Sequence, residues 1–133
     1  MRCYIKPHAA AAGIGDGVTV EYVRHLRRCG YLQDIGVREG KEFVYSVGDI
    51  IRIAVALHLT GFGFPLRRAF NAIDDYAAKL EALGLPGALH AGADLILEFA
   101  ADDSGITLLA SNATAIAEQV IGRLAKFKIN NPA

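Results

Sequence analysis

The chain has 133 residues, of which 53% are hydrophobic and 21% charged, with 14 Lys and Arg balanced by 14 Asp and Glu. That is enough apolar chain for one domain, or a small domain with an appendage, to bury a core without disulfides or a structural metal. Zero net charge argues against an indiscriminate nucleic-acid binder, which carries a strong basic excess.

The charge is unevenly spread. Residues 1–75 hold ten Lys/Arg against eight Asp/Glu, a net of +2, and residues 76–133 hold four against six, a net of −2. Cys3 and Cys29 form no CxxC or Cys/His spacing and read as reduced thiols of a cytoplasmic protein. Cys29 follows Arg27 and Arg28, a setting that would favour its thiolate. The opening Met1–His8 has no long apolar stretch, so neither a signal peptide nor a membrane anchor is expected.

In chain order, Pro7 can open a short alanine-rich helix to about Ala12, which the glycines of Gly13–Gly17 then break. Asp16 or Thr19 can cap a second helix running to about Cys29. Val20, Val23 and Leu26 form its apolar stripe, and Arg24, His25, Arg27 and Arg28 lie outside it. Gly30 stands at the left-handed stop position. Ile35–Tyr45 reads as a hairpin turning at Glu39-Gly40, with Arg38 and Lys41 near its tip. The pattern puts Phe43 and Tyr45 on one face, and Glu42 and Val44 on the other.

Ser46-Val47-Gly48-Asp49 resembles a capping box before a helix, Val47–Leu59, that is apolar nearly all round and so central. Arg52 and His58 interrupt that run, and His58 reads as a partly buried, hydrogen-bonded residue. Pro65 starts a further helix, expected to continue to Leu83 with Leu66, Phe70, Ile73, Ala77 and Leu80 facing inward. Leu83–Gly87 is the best internal boundary.

Beyond it Leu95, Leu97 and Phe99 alternate, Asp102–Gly105 turns, and Ile106, Leu108 and Ala110 alternate: a second hairpin with one apolar face. Asn112 or Thr114 caps a last helix, with Ile116, Val120, Ile121, Leu124 and Phe127 as its apolar stripe.

The first half resembles the DNA-binding domain of the MerR family of transcriptional regulators over roughly Tyr4–Ile73. Val23-Arg24-His25-Leu26-Arg27-Arg28-Cys29-Gly30-Tyr31-Leu32 is similar to that family's Leu-Arg-Tyr-Tyr-Glu-x-x-Gly-Leu-Leu stretch, with Arg24 and Gly30 matching. Tyr45-Ser46 matches the end of the family's wing, and Gly63-Phe64-Pro65-Leu66 stands where the family has Gly-Phe-Ser-Leu. The family continues into a long coiled-coil helix, whereas this chain carries a hairpin and one helix. The expected fold is therefore mainly α with short β-hairpins: a MerR-like winged helix-turn-helix at 1–83, then a ββα dimerisation element at 84–133.

The resemblance implies sequence-specific binding of double-stranded DNA, as a bacterial or prophage transcriptional regulator. Arg24, Arg27 and Arg28, with Thr19 at the helix start, would meet bases or phosphates, and Arg38 and Lys41 of the wing would meet the backbone. A solvated helix face is the bland alternative for the arginines. A homodimer is expected, with Leu95, Leu97 and Phe99, together with Ile106 and Leu108, buried against Ile116, Val120, Leu124 and Phe127. No Ser/His/Asp, Cys/His or paired-carboxylate constellation stands out, so an enzyme is the least favoured class and no cofactor is implied. Two other readings stay open: a phage-type DNA packaging or recombination accessory protein, and a protein-interaction module that has lost DNA binding.

Overall fold

Helix α3, Val47–Thr60, organises the chain. In the computed structural model, which describes residues 4–90, 92–100 and 108–131, Ile50, Ile51, Ile53, Val55, Ala56 and Leu59 are all fully buried. Its start is fixed by the expected capping box: Ser46 Oγ accepts from Asp49 N–H, and Asp49 Oδ2 accepts from Ser46 N–H at 3.0 Å. Asp49 Oδ2 also accepts from Gly36 N–H at 3.2 Å, which ties the loop before the first hairpin to the same helix end.

Around α3 lie α1 (Pro7–Ile14), α2 (Val20–Arg28), α4 (Leu66–Asp74), α5 (Ala77–Leu83) and α6 (Ala113–Asn130). A 3-10 turn spans Ala88–His90. Strands β1 (Val37–Glu39) and β2 (Glu42–Val44) form one antiparallel hairpin, and β3 (Ile96–Ala100) and β4 (Leu108–Asn112) form another. The chain is thus mainly helical with two small hairpins, as its patterning implies.

Local sequence explains most boundaries. Thr19 Oγ1 accepts from Tyr22 N–H and caps α2. Gly30 stops it at φ +86°, and Gly40 turns the first hairpin at φ +64°, both as expected of residues without a Cβ. Helix α1 runs two residues further than expected, through Gly13 to Ile14. Gly13 is where α6 comes close: a Cβ there would stand 2.7 Å from Leu124 Cδ2. Arg123 Nη1 then donates to the Gly13 and Ile14 carbonyls, closing the C-terminus of α1.

Other expectations need correction. The helix after Pro65 does not run unbroken to Leu83; it breaks at Asp75-Tyr76, where Tyr76 takes φ −111°, ψ 12°. Tyr76 is drawn to the second hairpin instead. Its hydroxyl donates to the Glu98 carbonyl at 3.0 Å, and its ring meets Phe99 edge-on at 5.4 Å. Val44 is buried together with Tyr45, so the end of β2 does not alternate. His58 is exposed and rests edge-on against Phe62.

The second hairpin has a register one residue away from the one its pattern suggests. Leu97 pairs with Ser111, Phe99 with Leu109 and Glu98 with Ala110. Ser111 is therefore buried and Ala110 exposed. A slip of one residue exchanges the faces of a strand, and the turn that sets it is not encoded by alternation. That turn, and Ile106, lie outside the described residues.

The apolar residues of segment 84–133 join the core of the first half. Leu97, Phe99, Ile116 and Val120 are buried within the single chain, and Leu95 and Leu124 pack half-buried against the same cluster. Phe127 is half-buried. Where these residues, expected at a dimer contact, are buried, they lie in the core of the single chain: α6 packs on α1 and α3, and Phe99 meets Tyr76. Ile121, expected in the stripe, is exposed instead.

Candidate nucleic-acid interface

Helix α2 and the β1–β2 hairpin stand side by side and enclose a groove of about 230 Å³. The helix supplies Val20, Val23, Arg24, Arg27 and Arg28, the hairpin side Lys41, Glu42, Phe43 and Tyr45, and α1 adds Pro7. Four of the six basic or capping residues singled out from the sequence, Arg24, Arg27, Arg28 and Lys41, therefore converge on one concave surface. Thr19 and Arg38 do not line it. Thr19 is occupied as the cap of α2, and Arg38 Nε donates to the Gly40 carbonyl at 3.1 Å across the hairpin tip.

The four cations are not equivalent. Arg28 and Lys41 are exposed and make no hydrogen bond or ion pair among the described residues. Arg24 Nη1 meets Glu21 Oε1 at 2.6 Å, with 52% and 75% of the two side chains exposed. A pair so open to water contributes only about 0.2–1 kcal/mol and yields readily to a competing anion.

Arg27 differs from both. Its Nη1 donates to the Leu32 carbonyl at 2.8 Å, and its Nη2 donates to the Ile35 carbonyl at 2.7 Å and the Tyr45 hydroxyl at 3.1 Å. The guanidinium also lies 3.5 Å from the centre of the Phe43 ring. Arg27, expected as a contact, is thus committed inward: it ties the end of α2 to the following loop and to the hairpin. The planar fork of an arginine suits that task in a way a lysine does not.

The hairpin is held from its other side as well. Ile5 and Tyr45 exchange backbone bonds, N–H to O at 2.6 and 2.9 Å, so the residues before α1 lie alongside the end of β2. Alternation could not reveal a bridge of one residue. Nor could it show that Phe43 and Tyr45 line a groove, because strand aromatics ordinarily read as core.

A second polar cluster lies away from this groove. Arg52, only 2% exposed, meets Asp34 at 2.8 Å, Glu81 at 3.3 Å and Asp74 at 3.6 Å. Its Nε has no partner. The long contact to Asp74 does not make that carboxylate easy to ionise. Partial burial, then the charge of Asp34, push its pKa up; Arg52 opposes them, and Asp75 adds to the rise. Too many carboxylates share one guanidinium, and the most distant is left at a disadvantage.

Among the described residues no helix is long and apolar enough to cross a membrane. No protein-family model matches the chain, and no curated protein matches it.

Proposed function

We propose that this chain is a sequence-specific binding protein for double-stranded DNA, acting as a bacterial or prophage transcriptional regulator through a winged helix-turn-helix. The reading rests on one observation above the others: Arg24, Arg28 and Lys41 come from a helix and a hairpin and open onto the same groove. A phosphate backbone is a ridge of regularly spaced negative charge. A groove walled by a helix and a hairpin, with exposed cations from both, would accept that ridge and leave α2 beside the base edges. Arg27 would fix the angle between the two elements rather than touch DNA. Thr19 and Arg38 would play at most outlying parts.

The test is anisotropy of a labelled mixed-sequence duplex across a salt series, with Arg24→Ala/Arg28→Ala beside the wild type. Arg27 is left intact, because its loss would confound binding with folding. Wild-type binding should weaken steeply with salt. If both arginines meet phosphates, the double variant should lose about two units of the log–log slope. A folded wild type that fails to bind at low salt would overturn the reading.

A protein-interaction surface is the second reading. Glu42 within the groove, Glu21 against Arg24, and the apolar Val20, Val23 and Phe43 favour it, because together they make the surface mixed in sign and partly greasy.

A further inference from the structure

We infer that the outer edge of β4 is a pairing surface for a second copy of this chain, joining two hairpins into a four-stranded antiparallel sheet across a two-fold axis at Ala110. The inference extends the reading above, since two-fold pairing would supply two DNA-facing grooves. Its physical basis is independent of DNA.

The backbone shows which groups face outward. Ala113 N–H donates to the Leu95 carbonyl at 2.9 Å. With the observed register, Leu97–Ser111 and Phe99–Leu109 are then the bonded pairs of the hairpin. In an antiparallel ladder such pairs alternate with unbonded ones, so Glu98, Ala100 and Ala110 turn their N–H and C=O groups away from the partner strand. The β3 side agrees: Tyr76 Oη donates to the Glu98 carbonyl and Arg68 Nη2 to the Ala100 carbonyl, each at 3.0 Å. Arg68 of α4 and Tyr76, at the junction of α4 and α5, thus occupy the outer edge of β3.

The outer edge of β4 has no such closure among the described residues. Among the described residues the N–H and C=O of Ala110 meet no protein group, and β3 is the only strand that pairs with β4. Edge strands are ordinarily protected by charge, proline or a bulge. Leu108–Asn112 has neither a charged residue nor a proline, and its pairing with β3 runs without a bulge. Ala110, the outward residue at its centre, is exposed and small.

A second copy fits this edge better than an unrelated strand because the edge complements itself. With the axis at Ala110, the two Ala110 residues exchange both backbone bonds, and Asn112 N–H of each copy faces the Leu108 carbonyl of the other. No like charges meet across the new ladder. Two strands alone are a marginal sheet; four are not. The apolar face of the hairpin is already used within the chain, so the edge is what it has left to offer.

The test is sedimentation equilibrium of the full chain at micromolar concentration without DNA, for the wild type, Ala110→Lys and Ala110→Pro. Each variant acts on an exposed, outward position, and Pro removes only an N–H that the hairpin does not use. Circular dichroism confirms which variants are folded. A wild-type dimer that becomes monomeric in either folded variant supports the inference. In a Cys3→Ser/Cys29→Ser background, Ala110→Cys should form a reducible dimer, because directly opposed residues stand about 5.5 Å apart at Cα, within disulfide range. A monomeric wild type would overturn it, as would a dimer that survives both substitutions or a cysteine that does not cross-link. DNA binding by a monomer would leave the regulator reading intact, and a dimer blind to DNA would leave the pairing intact.

Discussion

Replacing Arg27 with alanine should destabilise the fold by about 2–4 kcal/mol. The side chain makes a hydrogen bond to the Ile35 carbonyl, a second to the Leu32 carbonyl, which also accepts from Ile35 N–H, one to a phenol, and a cation–π contact with Phe43. Hydrogen bonds to a charged group contribute about 1.5–3 kcal/mol each, and the ring contact about 0.5–2 kcal/mol. A simple sum overshoots, because Arg27 is only half-buried and water can reach part of what alanine would vacate. Counting only the two carbonyl bonds and the ring contact, and halving, gives the stated range, a large fraction of the roughly 5–15 kcal/mol that holds a domain together. Urea denaturation followed by far-UV circular dichroism would read it as a midpoint lowered by about 1–2 M at an unchanged slope. Arg27→Lys keeps the charge but can reach one carbonyl at a time, so it should recover less than half the loss. Tyr45→Phe removes one bond and should cost about 0.5–1.5 kcal/mol. An Arg27→Ala protein within about 0.5 kcal/mol of wild type, the ordinary range for surface substitutions, would refute the inward role and return Arg27 to the groove surface.

Two further substitutions probe other parts of the fold. Asp74 holds its proton more tightly folded than unfolded, so its stabilising contribution is complete below the unfolded value and disappears as pH rises through the folded one. Asp74→Asn should therefore be neutral to slightly stabilising at neutral pH, by well under about 1 kcal/mol for so exposed a group, and should flatten stability as pH rises from the ordinary aspartate value of 3.8. Urea midpoints across that range would check it, and a clear loss at neutral pH would mean that the Arg52 contact dominates. At Gly84 an added Cβ would stand 2.5 Å from the backbone nitrogen of Gly48, so Gly84→Ala should cost about 3 kcal/mol. Gly122→Ala faces open space on α6 and should gain about 0.5–1 kcal/mol; thermal melts of the pair should move in opposite directions.

Features written in a few adjacent residues were legible in the sequence. The Ser46–Asp49 capping box, the left-handed Gly30 and Gly40, and the nearly all-apolar α3 each follow from local chemistry. Arg24, Arg28 and Lys41 were found as exposed cations, and spacing sufficed because helix and hairpin present them to one side. Where a long side chain goes is not a local property. Arg27 and Arg28 are neighbours of one type on the same helix, yet one turns in to meet carbonyls at Leu32 and Ile35 and the other points to water. Arg52 broke the apolar pattern of α3 without disclosing that Asp34, Asp74 and Glu81, from three separate parts of the chain, would gather around it.

The C-terminal segment marks the same limit from the apolar side. A stripe such as Ile116, Val120 and Leu124 states that something must cover it, not what does so. A second copy and the chain's own α1 and α3 satisfy that demand equally well in sequence. Gly13 and Arg123 decide between them. The missing Cβ lets Leu124 close on α1, and the guanidinium closes the carbonyl end of that helix. Once the face of the second hairpin is spent inside the chain, any pairing of two copies must use groups that burial did not consume. Those are backbone groups, invisible to hydropathy, and the register of β3 on β4 selects them. A one-residue change of that register would turn a different set of N–H and C=O groups outward and place Ala110 on the opposite face. Which edge is left follows from Arg68 and Tyr76 meeting the β3 carbonyls, and which groups that edge offers follows from the register.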